Sequence, residues 1–219
     1  MKDIYEIKNG VGYISFLASG ELTKTRAIRL LEESNVGDIP LVIEIGKDVT
    51  KVGGFAFSTY KNPSEVHIQD GMSEISHCAF SSFEGLNKIT LPKSIKLIDK
   101  FAFRECKNLT EIEIPKGVTV LESQAFYQCT SLNEVTFPKT LKEIGAMAFV
   151  SCAFTNVKIP KGVEIIDTMA FLGCTYLKTV TLPSTLRELG GSAFAGCPSL
   201  VCPELEVLSR TLPEPKYKP

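Results

Sequence analysis

Cys106, Cys129, Cys152, Cys174 and Cys197 stand 22 or 23 residues apart and are the most regularly placed reactive groups in this chain. Cys78 and Cys202 bring the thiols to seven. Thiols can pair, hold metal or attack as thiolates. No Cys-x-x-Cys or other zinc-type spacing occurs. Two aromatics, Tyr60 and Phe83, continue the same register toward the N-terminus, so the position asks for an apolar body rather than a thiol, and buried free cysteine behaves as a small hydrophobe. If the register marks stacked turns, neighbouring thiols lie about 4.8 Å apart, within disulfide reach. Thiols stacked in parallel point the same way, however, which favours packing. Cys197 and Cys202 are a separate pair that could bridge the C-terminal end.

The other candidates for chemistry are equally regular and equally short of a catalytic constellation. His67 and His77 are the two histidines, and neither has a Ser, Cys or carboxylate at a recognisable catalytic spacing. Glu111 and Glu113 project from one strand face, a feature carboxylate pairs need but solvated sheets share. No glycine-rich phosphate loop precedes a helix. The reading is therefore no enzyme and no cofactor.

Those groups are positioned by an internal repeat. Ala-Phe pairs fall at 56–57, 79–80, 102–103, 125–126, 148–149, 170–171 and 193–194, so the period is 23 residues with one turn of 22. Downstream of each pair runs a short apolar–polar–apolar segment such as Ile112-Glu113-Ile114, the pattern of a strand with one buried face. Ile43/Ile45, Val66/Ile68, Ile89/Leu91, Val135/Phe137, Val157/Ile159 and Val180/Leu182 are its copies, and a proline closes most of them. Val118, Leu121, Ala125, Phe126 and Cys129 then follow spacings of three and four, which predicts a helical or irregular arc. The residues at 53, 76, 99, 122, 145, 167 and 190, mostly Gly, Ser or Asp, read as N-caps of a short helical turn. One strand and one arc per turn make an α/β repeat solenoid with a parallel sheet on one face.

The repeat A-F-x-x-C-x-x-L-x-x-I-x-I-P-x-x-V resembles the BspA-like leucine-rich repeat family over about residues 41–203, in seven copies. The resemblance implies a parallel sheet, roles in adhesion or protein recognition at bacterial or protist surfaces, and no shared catalytic site. Residues 1–40 depart from the pattern. They read as an N-terminal cap with one helix from about Leu22 to Ser34, ending near Gly37, with Ala27, Ile28 and Leu31 on its apolar face. Its Lys24, Arg26 and Arg29 read as a solvated basic face. After Leu200 the pattern fails at Pro203, and 204–219 reads as a cap remnant and a flexible Pro- and Lys-rich tail. The organisation is thus cap 1–40, array 41–203 and tail 204–219.

A fixed array of outward side chains is a recognition surface. Its candidate residues are Glu65, His67, Lys88, Glu111, Glu113, Glu134 and Lys158 on the strands, with Lys93, Lys116, Lys139 and Lys161 just past them. The expected function is a non-catalytic protein-binding module of adhesion or recognition type. The alternatives are a spacer segment of a larger cell-surface adhesin and, third, a carbohydrate-binding surface. Nucleic acid is disfavoured, because the net charge is −1, acids interrupt the basic row and no aromatic stands in these columns. No apolar run approaches the roughly 20 residues of a membrane helix. The opening MKDIYEIKNG lacks a signal-peptide layout, so the chain is intracellular, or secreted or surface-borne with a signal removed.

Overall fold

A computed structural model describes residues 2–35 and 37–214 of the 219. The N-terminal segment holds β1 (Ile4–Lys8), β2 (Val11–Phe16), β3 (Gly20–Leu22) and α1 (Lys24–Glu33). Thereafter each turn supplies one longer and one shorter strand. The pairs are β4 (Leu41–Ile45) with β5 (Val49–Val52), β6 (Ser64–Ile68) with β7 (Glu74–Ile75), β8 (Leu86–Thr90) with β9 (Leu97–Ile98), and β10 (Glu111–Glu113) with β11 (Val120–Leu121). They continue as β12 (Glu134–Thr136) with β13 (Glu143–Ile144), β14 (Asn156–Lys158) with β15 (Ile165–Ile166), and β16 (Thr179–Thr181) with β17 (Glu188–Leu189). The C-terminal helix α2 spans Pro203–Thr211. The chain is a parallel-strand solenoid with a 23-residue period.

The core is built from the repeat columns. Phe57, Phe80, Phe103, Phe126, Phe149, Phe171 and Phe194 stack ring on ring at centroid distances of 5.1–5.9 Å, with interplanar angles of 17° or less. That offset stacking adds specific attraction to the area each ring removes from water. The Ala beside each Phe lets the next turn approach, and inner strand residues such as Val66, Ile112 and Val157 close the other side.

Of the two forms expected for the arcs, helical or irregular, the structure has the irregular one, and the short helical turn does not form. No helix forms in them among the described residues. The first arc begins with the four-residue β5, paired with β3, and each later one with a two-residue strand; β7, β9, β11, β13, β15 and β17 form a second, six-stranded parallel sheet. Beyond it the chain alternates its hydrogen bonds. In one turn Phe101, Phe103 and Glu105 donate their N–H groups to Ser123, Ala125 and Tyr127 of the next turn, while Ala102, Arg104 and Cys106 close local turns onto the carbonyl three residues back. A helix would direct every N–H back along its own chain; here half of them stitch the turns together. The alternation places Phe55, Cys78, Phe101, Gln124, Met147, Met169 and Ser192 at φ of 55–60°. The column expected to cap a helix serves these turns instead, its carbonyls accepting from each Ala of the Ala-Phe pairs. Gly190 in that column sits so close to the preceding turn that a Cβ would lie 2.2 Å from the Thr168 nitrogen.

The N-terminal segment is more than a helical cap. β2 pairs in parallel with β4, and β3 with β5, so this stretch is a divergent turn of the same solenoid. Ile14 and Phe16 occupy the inner positions. α1 is shorter than expected. Thr23 caps it through its side-chain oxygen, which accepts from Arg26 N, and Asn35 at φ 46° follows its end. Its buried face is Ala27, Leu30 and Leu31, with Ile28 half-buried. The expectation of a solvated basic face fails for Arg26. That side chain is only 13% exposed and is held by Asp3, which the repeat-based reading could not pair with it.

At the other end, Pro203 both breaks the strand pattern and starts α2, where a missing N–H costs nothing. Leu205, Leu208 and Leu212 pack against the end of the core, and Leu189 N–H donates to Pro213 O. The flexible tail expected from sequence falls partly on residues 215–219, which lie outside the described residues.

Candidate functional site

The longer strands make the main sheet, whose outer face carries the candidate residues. Its hydrogen-bonded order is β1-β2-β4-β6-β8, followed by the separate pairs β10-β12 and β14-β16. The sheet is therefore interrupted twice, between β8 and β10 and between β12 and β14. At the first interruption the face opens into a cleft of about 260 Å³, lined by Lys88, Thr90, Glu111, Glu113, Glu134 and Thr136, with Ile89, Leu91 and Ile112 at its floor.

The register sets which charges meet. Glu65 opposes Lys88, and Glu111 opposes Glu134. Lys88 Nζ also reaches Glu111 Oε1 at 3.7 Å across the interruption. Like-charged Glu111 and Glu134 on facing positions work against sheet pairing, so Lys88 is the local compensation. His67 opposes Glu44 and Thr90, and its ring nitrogen lies 3.8 Å from Glu65. Glu113 opposes Thr136 and completes the acidic wall.

Other predicted residues are not gathered into the cleft. Lys158 lies on β14 beyond the second interruption and opposes Thr181. Lys93, Lys116, Lys139 and Lys161 follow their strands as an exposed row, and none of them forms an ion pair with a described residue. The face is thus zoned: the acids lie on the strands together with Lys88 and Lys158, and a row of free lysines runs along one margin. Each charge is exposed and costs the core nothing, so the zoning is available to a ligand.

The thiols sit on the far side of the core. All seven are free, Cys197 and Cys202 included. Cys106, Cys129, Cys152, Cys174 and Cys197 each direct Sγ at the carbonyl of the Phe one turn back, at 3.0–3.4 Å. The column therefore uses the thiol as a weak donor as well as an apolar body, which corrects the purely apolar expectation. Burial pushes Cys106 and Cys152 up and Cys129 to about 12, which disfavours the thiolate form at neutral pH. His77 packs edge-on against Phe101 at 5.3 Å. Among the described residues no group of three His, Cys, Asp or Glu side chains could hold a metal, and no helix is long and apolar enough to cross a membrane.

Reading the sequence missed Thr90 and Thr136 in the cleft wall, since only charged members of those columns were singled out. It also missed a charged cluster at the second sheet, where Glu164 lies 3.1 Å from Lys142 and 4.0 Å from Arg187. The signal for that cluster was weak, because two-residue strands are too short to show alternation.

A family model described as BspA type leucine rich repeat region matches this chain in six copies, over residues 41–153 and 142–212. Among solved structures, the chain is similar to a leucine-rich repeat protein of T. pallidum, at 25% identity and a TM-score of 0.71, covering 96% of this chain and 92% of that one. It is also similar in fold to a leucine-rich repeat protein of Bacteroides ovatus, at 24% identity and a TM-score of 0.57, covering 90% of this chain and 56% of the other. No curated protein sequence matches it.

Proposed function

The chain belongs to the BspA-type leucine-rich repeat family, and from that membership we propose that it is a non-catalytic protein-recognition module that binds through the outer face of its main sheet. The observation that carries the reading is the cleft between β8 and β10, where exposed charged side chains line an opening at the first of the two interruptions of the sheet. The acidic wall of Glu111, Glu113 and Glu134 suits a basic side chain of the partner. The free row of Lys93, Lys116 and Lys139 suits acidic groups beside it. A partner surface of mixed charge matches both zones, and complementary zoning of this kind sets specificity and association rate more than raw affinity. Such a module suits an adhesive or recognition role at a cell surface.

The test uses any partner recovered by affinity capture, with two sets of variants. Glu111→Gln with Glu134→Gln neutralises the cleft. Lys93→Gln with Lys116→Gln and Lys139→Gln neutralises the row, and the matching Lys→Glu set reverses it. Each set should weaken binding, reversal more than neutralisation, and added salt should move wild type toward the variants. Equal affinity for all of them would remove the sheet face as the binding surface and leave the spacer reading.

A further inference from the structure

The N-terminal edge of the main sheet is unfinished. β1 is an edge strand whose five residues are all exposed. Among the described residues it pairs only with β2, through a hairpin turned by Asn9 and Gly10, both at positive φ, the two-residue type that matches strand twist. Gly12 sends its N–H to Pro40 O on the side away from β1. In an antiparallel pair the residue opposite such a position also bonds outward, and Gly12 opposes Ile7 while Ile14 opposes Tyr5. Tyr5 and Ile7 therefore direct their peptide N–H and C=O groups away from the sheet.

The side chains of the same two residues face the core side, because their partners Gly12 and Ile14 are buried. Yet Tyr5 is 46% and Ile7 51% exposed. A solenoid end normally carries a polar cap, and an apolar edge strand is a template for another strand. Charge, side-chain face and bonding direction together select an occupant.

We propose that the occupant is a second copy of this chain, joined by antiparallel β1–β1 pairing about a two-fold axis through Glu6. Such an axis stands perpendicular to the sheet, so opposed residues must share a face. Tyr5 then opposes the partner's Ile7 in a doubly hydrogen-bonded pair, twice over, and the core-side apolar layer continues across the junction. On the outer face Glu6 meets its own copy. Lys8 of the same strand lies 2.8 Å from Glu6, and the second Lys8 sits on the diagonal, so two acids are balanced by two lysines. The two outer faces look the same way, which would make the assembly bivalent; the pairing itself does not depend on what that face binds.

The register is directly testable. Glu6 opposes Glu6 at a non-hydrogen-bonded position, where Cα atoms lie about 4.5 Å apart, inside the disulfide range. Lys8 and its copy are four residues out of register, about 13 Å apart. Light scattering of the whole chain should give twice the 24.0 kDa chain mass. Under mild oxidation Glu6→Cys should form a covalent dimer, while Lys8→Cys and wild type should not. Ile7→Lys should return the mass to one chain. Glu6→Lys, which alters only an exposed side chain, should do the same and stands in if Ile7→Lys fails to fold. A wild type that stays at one chain mass, a dimer that survives Glu6→Lys, or equal cross-linking of Glu6→Cys and Lys8→Cys would each overturn the proposal.

Discussion

Arg26 grips Asp3 with two bonds, Nε to Oδ2 at 2.8 Å and Nη2 to Oδ1 at 2.7 Å, and so ties the start of the chain to α1. The backbone N–H groups of Leu17 and Ala18 donate to the same Oδ1, each at 2.9 Å, and Arg26 Nη2 also donates to Ala18 O. Four donors on one carboxylate fix the entry to the solenoid.

The first prediction concerns that carboxylate. Burial pushes Asp3 up, but the bonds from Arg26 and the two backbone amides prevail and hold it below its ordinary value. Its stabilisation is therefore fully present above the unfolded carboxylate value of about 3.9 and is lost as pH falls through the lower folded value. Asp3→Asn should cost ~1.5–3 kcal/mol at neutral pH, the scale for bonds to a charged group. The deficit relative to wild type should shrink in acid. Denaturant titration at neutral and acidic pH checks both, and a deficit independent of pH would assign the effect to lost shape rather than charge.

Phe126 stands mid-stack, 5.2 Å from Phe103 and 5.3 Å from Phe149. Truncating it to alanine should destabilise by ~3–5 kcal/mol. Because each interface is shared, hydrogen exchange should quicken in the turns on either side, in keeping with nearest-neighbour coupling in solenoids. A denaturation midpoint equal to that of wild type would refute the stack as core.

Alkylation separates the thiols. Cys106, Cys129, Cys152 and Cys174 should resist labelling in the native protein and react once it is denatured. Cys197 is half-buried, and its contact with the Cys174 thiol lowers it while raising its partner. A larger thiolate fraction makes it the first native site to label. Peptide mapping that found Cys129 labelled as fast as Cys197 would contradict this order.

Gln128 at φ 57° holds the left-handed position that Gly173 and Gly196 occupy two and three turns on. A side chain there costs roughly 1–2 kcal/mol, against roughly 0.5–1 kcal/mol for the greater unfolded freedom of glycine. Gln128→Gly should therefore leave stability unchanged or raise it by up to ~1.5 kcal/mol. Thermal denaturation checks the sign; a clear loss would mean the glutamine side chain has a role beyond its backbone.

The regular parts of this fold were legible because they repeat. Ala-Phe pairs, inner strand residues and closing prolines recur at one period, and a chain that buries the same face every 23 residues can satisfy that pattern only by stacking. Of the candidate site, the columns of Glu and Lys were likewise readable, since side chains alternate along a strand. The arcs, expected to be helical or irregular, are irregular, and the short helical turn expected at their start does not form, because spacings of three and four also arise when turns close onto the third residue back, as from Asp99 to Ala102. The Asn9-Gly10 pair is a local hairpin signal that lies outside the 23-residue period.

Sequence alone determined the period, the buried columns and the absence of a motif for metal or nucleophilic chemistry. Tertiary structure alone decided where the main sheet breaks, because whether Lys88 and Glu111 bridge two strands or belong to one ladder depends on backbone spacing between turns. It also decided that Asp3 meets Arg26, and that five thiols find phenylalanine carbonyls 25 or 26 residues behind them. These are contacts between residues far apart in the chain, and their physical content lies in distances that no local pattern encodes.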